Sequence, residues 1–124
     1  MDLIVALIFA VGRVVCHQQP ERSFFLDGDQ FPVCARCTGL YVSAAAGLAG
    51  WVAVKSASRW RPLSFDPRLA VRMIVIGGIP TAVSLATDLS GIWDGSNATR
   101  ALLAVPLGAS AGAIVAAVFT KDLR

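Results

Sequence analysis

All three cysteines and the single histidine of this chain lie between positions 16 and 37. They fall in two short runs, Cys16-His17-Gln18-Gln19-Pro20-Glu21-Arg22-Ser23-Phe24 and Pro32-Val33-Cys34-Ala35-Arg36-Cys37. Thiolate and imidazole are both good ligands for a borderline-soft cation. A Cys-x-x-Cys pair sets two sulfurs where one ion can take both, and Cys16 with His17 completes a Cys₃His set, a common tetrahedral zinc composition. Adjacent residues on a regular helix point about 100° apart. Cys16 and His17 can therefore ligate together only if a helix ends there, and Pro20 favours such an end. The candidate metal ligands are Cys16, His17, Cys34 and Cys37, with zinc as the candidate cofactor and the metal's identity left open.

The same residues admit other chemistry. A Cys-x-x-Cys pair also serves thiol–disulfide exchange, which an oxidising compartment favours. Four-helix membrane enzymes of that kind normally use a second cysteine pair, and here only Cys16 remains. An odd cysteine count is not explained by one structural disulfide. A third reading makes the cysteines inert, buried as small apolar residues.

Four further residues are candidates for catalytic work. Glu21 or Asp88 could move protons, and Arg22 or Arg100 could hold a small anionic substrate such as a phosphate or carboxylate. Ionisable groups at membrane depth are costly and usually paired or functional, so Asp88 is expected to pair with Arg100, or either of them with Arg22 or Glu21. The competing reading leaves both in interfacial water. Asn97 is read first as a helix cap and second as a member of the site. Asp27-Gly28-Asp29 reads as a turn before it reads as a hard-cation site. Trp51, Trp60 and Trp93 lie near the ends of apolar blocks, where membrane anchors are found.

The elements that must position these groups are apolar blocks. The chain has 124 residues, 56% hydrophobic and 15% charged, with a mean hydropathy of +0.66. Soluble domains carry about 25% charge. The apolar residues run in four blocks, 3–15, 37–54, 69–87 and 101–120. This predicts an all-α fold: one integral membrane domain over 1–124, a bundle of about four transmembrane helices with a Cys/His-rich outer loop. The first block is short. A helix over 3–15 measures about 20 Å and crosses only if the bilayer dips or the helix continues past Cys16. It has no positive leading segment and no small-residue cleavage site, so it is not read as a signal peptide.

Lys55, Arg59, Arg61, Arg68 and Arg72 cluster around the second loop, and Lys121 and Arg124 lie at the C-terminus. The positive-inside rule makes these segments cytoplasmic, so a multi-pass protein of the cell membrane would turn its Cys/His loop to the extracytoplasmic side. The net charge of +3 is topogenic and calls for no nucleic-acid partner. The lipid bilayer is the expected partner. Gly39, Ser43 and Gly47, and likewise Gly108 and Gly112, are spaced by four, as in closely packed membrane helices. These faces are read as packing within the chain, with a homo-oligomer left open. Pro80 and Pro106 should kink blocks three and four.

The pattern Cys-His-Gln…Glu-Arg-Ser-Phe…Pro-Val-Cys-Ala-Arg-Cys-Thr-Gly-Leu-Tyr resembles the small predicted membrane proteins called domain of unknown function 2085, most densely from Cys16 to Tyr41. Asp88, Asn97 and Arg100 resemble that family's second cluster. The resemblance implies that these positions form one site, and it implies no activity. Three function classes follow: a metal-dependent membrane enzyme, a membrane thiol–disulfide oxidoreductase, and a non-catalytic transporter or assembly subunit stapled by structural zinc. Metal binding at a zinc-type site is the leading expectation. A fully ligated Cys₃His zinc has no open position, so catalysis would need one of the four outside the metal's shell.

Overall fold

A computed structural model of the chain describes residues 2–58, 64–93 and 95–122. Arg59, Trp60, Arg61 and Arg124, used above for orientation and anchoring, lie outside the described residues. The elements run α1 (Leu3–Val15), a short 3₁₀ turn (Pro20–Arg22), β1 (Ser23–Leu26), β2 (Asp29–Cys34), α2 (Ala35–Ala57), α3 (Pro67–Ser90) and α4 (Asn97–Phe119). The chain is an all-α membrane bundle with one small hairpin. Three helices, α2, α3 and α4, are long and apolar enough to cross a bilayer. α1 is apolar but only 13 residues long, and it does not continue past Cys16, whose backbone is extended (φ −147°, ψ 142°).

Packing falls mainly between α2 and α4, with α3 against α4. In lipid no hydrophobic force drives helices together, so close approach of backbones must supply the contact. The small residues do this. A Cβ on Gly39 would meet the Ala101 backbone, on Gly47 that of Ala109, on Gly108 the Leu40 carbonyl and on Gly112 the Ala44 carbonyl. The expected Gly/Ser faces thus form an intramolecular seam between α2 and α4. The helices run through both prolines. One turn before Pro106, the Leu103 carbonyl accepts from Thr81 Oγ1 at 3.1 Å, a polar tie between α3 and α4 of the kind membrane helices use.

The ends of the helices are marked by local chemistry. The Asp66 side chain caps α3 by accepting from the Arg68 amide at 2.9 Å, and Pro67 takes the first helical position, where its missing N–H costs nothing. Gly91 closes α3 in the left-handed conformation at φ +69°. Ser96, not Asn97, caps α4 through Oγ to the Thr99 amide at 3.3 Å. Trp51 does more than anchor at an interface. Its ring meets Phe65 edge-on at 5.2 Å and its Nε1 donates to Thr120 Oγ1 at 3.3 Å.

The antiparallel hairpin has no counterpart in the sequence reading. Its strands pair Ser23 with Cys34, Phe25 with Gln30 and Leu26 with Asp29, with an irregularity between Ser23 and Phe25. The Asp27-Gly28 turn has both residues at positive φ, +50° and +91°, the two-residue geometry that suits the right-handed twist of paired strands. Asp27-Gly28-Asp29 is therefore a turn, as its first reading had it.

Candidate metal centre

The hairpin brings the two halves of the cysteine motif together. Because Ser23 pairs with Cys34, the chain returns to within reach of Cys16. Three contacts fix the return. Gln18, itself in the left-handed region at φ +48°, donates through Nε2 to the carbonyls of Phe9 at 2.9 Å and Pro32 at 2.6 Å. Gln30 Nε2 donates to the Gln18 carbonyl at 3.0 Å. Gly12 leaves the space for this, since a Cβ there would lie 2.5 Å from both Gln18 Nε2 and the Pro32 oxygen. α1 is thus docked on β2, and Cys16 at its end becomes 93% buried (7% exposed).

Cys34 caps the N-terminus of α2, and Cys37 is that helix's third residue. Both sulfurs therefore sit at the positive end of a helix dipole, where negative charge is favoured. Cys16, Cys34 and Cys37 converge, with their sulfurs all within 4.8 Å of one another. The Cys34 amide donates to Cys16 Sγ at 3.2 Å, a contact that favours a thiolate. Burial works to raise the Cys16 thiol pKa. Backbone hydrogen bonds from Gln18 and Cys34, with the neighbouring thiols, more than offset it and hold Cys16 below the usual thiol value. His17 is exposed and is not a member of this three-sulfur cluster.

A cavity of about 300 Å³ opens beside the sulfurs. His17, Arg22 and Arg36 line it together with the cysteines, and Val15, Leu85 and Leu89 form its apolar side. A neighbouring cavity of about 270 Å³ is lined by Glu21, Arg22, Ser96, Asn97 and Arg100. Arg22 borders both. Asp88 lies behind them, with its side chain 1% exposed. It receives Arg36 Nη2 at 2.5 Å and Arg100 Nε at 3.1 Å. Arg36 Nη2 also donates to Ser84 Oγ at 3.0 Å. The expected Asp88–Arg100 pair is present, and Arg36 is the partner that sequence reasoning missed. Its signal was faint: an arginine inside the Cys-x-x-Cys pair, one residue before Cys37.

Asn97 is the other correction. It does not cap α4; its Oδ1 accepts from Arg100 Nη1 at 3.1 Å and its Nδ2 donates to the Ser23 carbonyl at 2.9 Å. The cap was free to be Ser96 because its hydroxyl stands one residue earlier and reaches the Thr99 amide. Asn97 therefore ties α4 to the hairpin. The structure thus gathers Cys16, Cys34 and Cys37 in one cluster, places His17 and Arg22 along its cavity, puts Glu21 and Arg100 along the next, and sets Asp88 between Arg36 and Arg100.

Comparison with known proteins gives a family match over most of the chain. A family described as predicted membrane protein, DUF2085, matches residues 16–114, from the first cysteine through most of α4. An uncharacterised protein of Methanocaldococcus jannaschii is 33% identical over 94 residues, covering 75% of this chain and 56% of that protein. An uncharacterised protein of Methanothermobacter thermautotrophicus is 33% identical over 112 residues, covering 90% of this chain and 89% of its own length. The chain thus spans little more than half of the first relative and most of the second. No solved structure is significantly similar.

Proposed function

The chain belongs to the DUF2085 family of predicted membrane proteins, and we propose that it is a membrane-embedded metal-binding protein with a zinc-type centre at one end of its helix bundle. The observation that carries this reading is the convergence of three sulfurs within 4.8 Å at the N-terminus of α2. Tetrahedral zinc with bonds of about 2.3 Å holds its sulfurs about 3.8 Å apart, so closure around an ion asks for only a small inward rotation of the side chains. Cys16, Cys34 and Cys37 are the three protein ligands. His17, exposed beside Cys16 and lining the same cavity, stands outside the sulfur cluster as the group that could turn in to complete a Cys₃His shell.

While His17 stands away from the sulfurs, the fourth position is open to water. That is the arrangement a catalytic zinc needs, and a bound metal would supply an activated water there. Arg22, which lines the cavity beside the sulfurs, is then placed to hold an anion, and Glu21, along the neighbouring cavity that Arg22 also borders, is the candidate to move protons. Asp88 and Arg100 hold the helix ends in register. The placement of Lys and Arg supports an extracytoplasmic position for this end of the bundle.

Elemental analysis of detergent-purified protein, with a free-thiol count, tests the reading. It expects one metal per chain and three thiols recovered after chelation. Metal-free protein with one disulfide would replace it by exchange of a Cys34–Cys37 dithiol/disulfide with the thiols of a partner.

A further inference from the structure

The cavity beside the sulfurs has two unlike walls. Its polar side carries two guanidinium groups with unused donors. Arg22 is half-buried, and its guanidinium makes no ion pair or hydrogen bond among the described residues. Arg36 gives Nη2 to Asp88 and Ser84, yet its buried Nε has no partner. A buried donor without an acceptor is unfavourable, and an incoming oxygen would relieve it. The opposite wall is Leu85 and Leu89, one turn apart on α3. Leu85 is 44% and Leu89 is 75% exposed. Both belong to a helix long and apolar enough to cross a bilayer, so this wall is continuous with a surface that lipid covers. A small free anion would use the first wall and leave the second unexplained.

We propose that the cavity takes an amphiphile: an oxyanion head of phosphate or carboxylate type held by Arg22 and Arg36, on an apolar tail lying along Leu85 and Leu89. The inference rests on the preceding reading in treating this cavity as the place where the metal acts, and it names the class of molecule brought there. The head is recognised by paired, charge-assisted hydrogen bonds. The tail never leaves the membrane, so entry is lateral, past the end of α3.

The test uses dodecyl phosphate as probe, added to the full chain in neutral detergent and followed by ³¹P NMR line shape. Inorganic phosphate and dodecyltrimethylammonium serve as comparisons. Dodecyl phosphate should bind saturably, and both others at least about tenfold more weakly, as expected for losing one good anchoring interaction. Arg22→Gln should weaken dodecyl phosphate binding by about tenfold, the scale of one charge-assisted hydrogen bond, with Arg22→Lys recovering part of it. The Arg22 side chain makes no ion pair or hydrogen bond among the described residues, and its backbone bond to Gln19 survives substitution, so its variants should fold and melt as the parent does. Binding that ignores Arg22→Gln, or inorganic phosphate or the cationic amphiphile binding as tightly as dodecyl phosphate, would overturn the proposal. Metal content is measured on the same samples. Metal-loaded protein that binds no probe sinks the inference alone, whereas metal-free protein that binds it through Arg22 keeps the inference and removes the metal reading.

Discussion

The two ends of the helix bundle each carry a carboxylate met by cations from other helices, and they are built in opposite ways. At the end of α2 and α4, Lys55 donates to Asp122 at 2.7 Å and to the Thr120 carbonyl at 3.1 Å. The lysine side chain is 40% exposed and the aspartate 14%. Lys55 stands in the last turn of α2, where a cation suits the helix dipole, and Asp66 caps α3 nearby with the same logic. At the cysteine end the charges oppose the dipoles. Asp88 is in the last turn of α3, while Arg36 and Arg100 are in the first turns of α2 and α4. All three are buried or nearly so, at 1%, 17% and 6% side-chain exposure. Helix stability alone would select the reverse signs. Local rules are broken mainly where function requires it, which supports the proposed site at the cysteine end.

The largest effect that sharpens this contrast is at Asp88. Asp88→Asn leaves two guanidinium groups facing a neutral side chain at low exposure. Breaking a buried pair in this way costs on the order of 3–5 kcal/mol, seen as a large fall in Tm in detergent. Asp122→Asn removes a partly solvated pair and should lower Tm only slightly, since such pairs contribute little. Equal falls for the two variants would break the comparison.

The seam joining the ends comes next. Gly108→Leu would drive a side chain into the Leu40 carbonyl and Ser43 Oγ, whereas Gly50 has nothing within 4 Å of an added Cβ. Overpacking typically costs about 1–3 kcal/mol, so Gly108→Leu should lower Tm clearly and Gly50→Leu should not. Matching melting curves would remove the seam as the element that holds the two ends in register.

A smaller difference is expected within the cysteine end. Cys34→Ser should release the metal altogether, because it removes one of three converging sulfurs. His17→Ala should weaken metal retention against a chelator by less, since His17 lies along the cavity outside the three-sulfur cluster. If His17→Ala released metal as completely as Cys34→Ser, the histidine would be a ligand of equal standing.

The smallest effect is the pH response of the far end. Hydrogen bonds from Lys55 and Thr120 hold Asp122 below its ordinary value of 3.8. A carboxylate depressed in the folded state adds stability above its unfolded value, and that stability is lost as pH falls through the folded one. Between pH 7 and 5 the Lys55–Asp122 contact should therefore be silent. Cys16, also held below the usual thiol value, must be deprotonated to bind metal, so acidification should release the metal first. Metal content and Tm followed together from pH 7 downward would separate the two, and a Lys55→Met protein should lose metal over the same range as the parent.

Much of this was legible in the residues because lipid is an unforgiving solvent. The apolar runs 37–54, 69–87 and 101–120 became helices whose ends fall within four residues of the runs' ends, since a backbone in hydrocarbon must satisfy itself. The convergence of Cys16, Cys34 and Cys37 followed from ligand chemistry without any knowledge of the path between them. That path was not legible. The hairpin rests on one Asp-Gly turn and a six-residue strand interrupted by Pro32, too short to show a period of two against its surroundings. In the sequence Arg36 is only a residue of the Cys-x-x-Cys run, because its partner Asp88 is 52 positions away and meets it only once α2 and α3 are side by side. Asn97 looked like a cap because its type suits one. Its carbonyl partner on Ser23 comes from a strand that the sequence did not reveal.

The central claim is that three cysteines at one end of the bundle hold a metal. X-ray absorption at the zinc K-edge, on protein purified with its metal content measured, tests it most directly. Three sulfur neighbours near 2.3 Å with one nitrogen or oxygen neighbour at about 2.0–2.1 Å are predicted. A shell of nitrogen and oxygen alone, or purified protein with no metal to measure, would contradict the account.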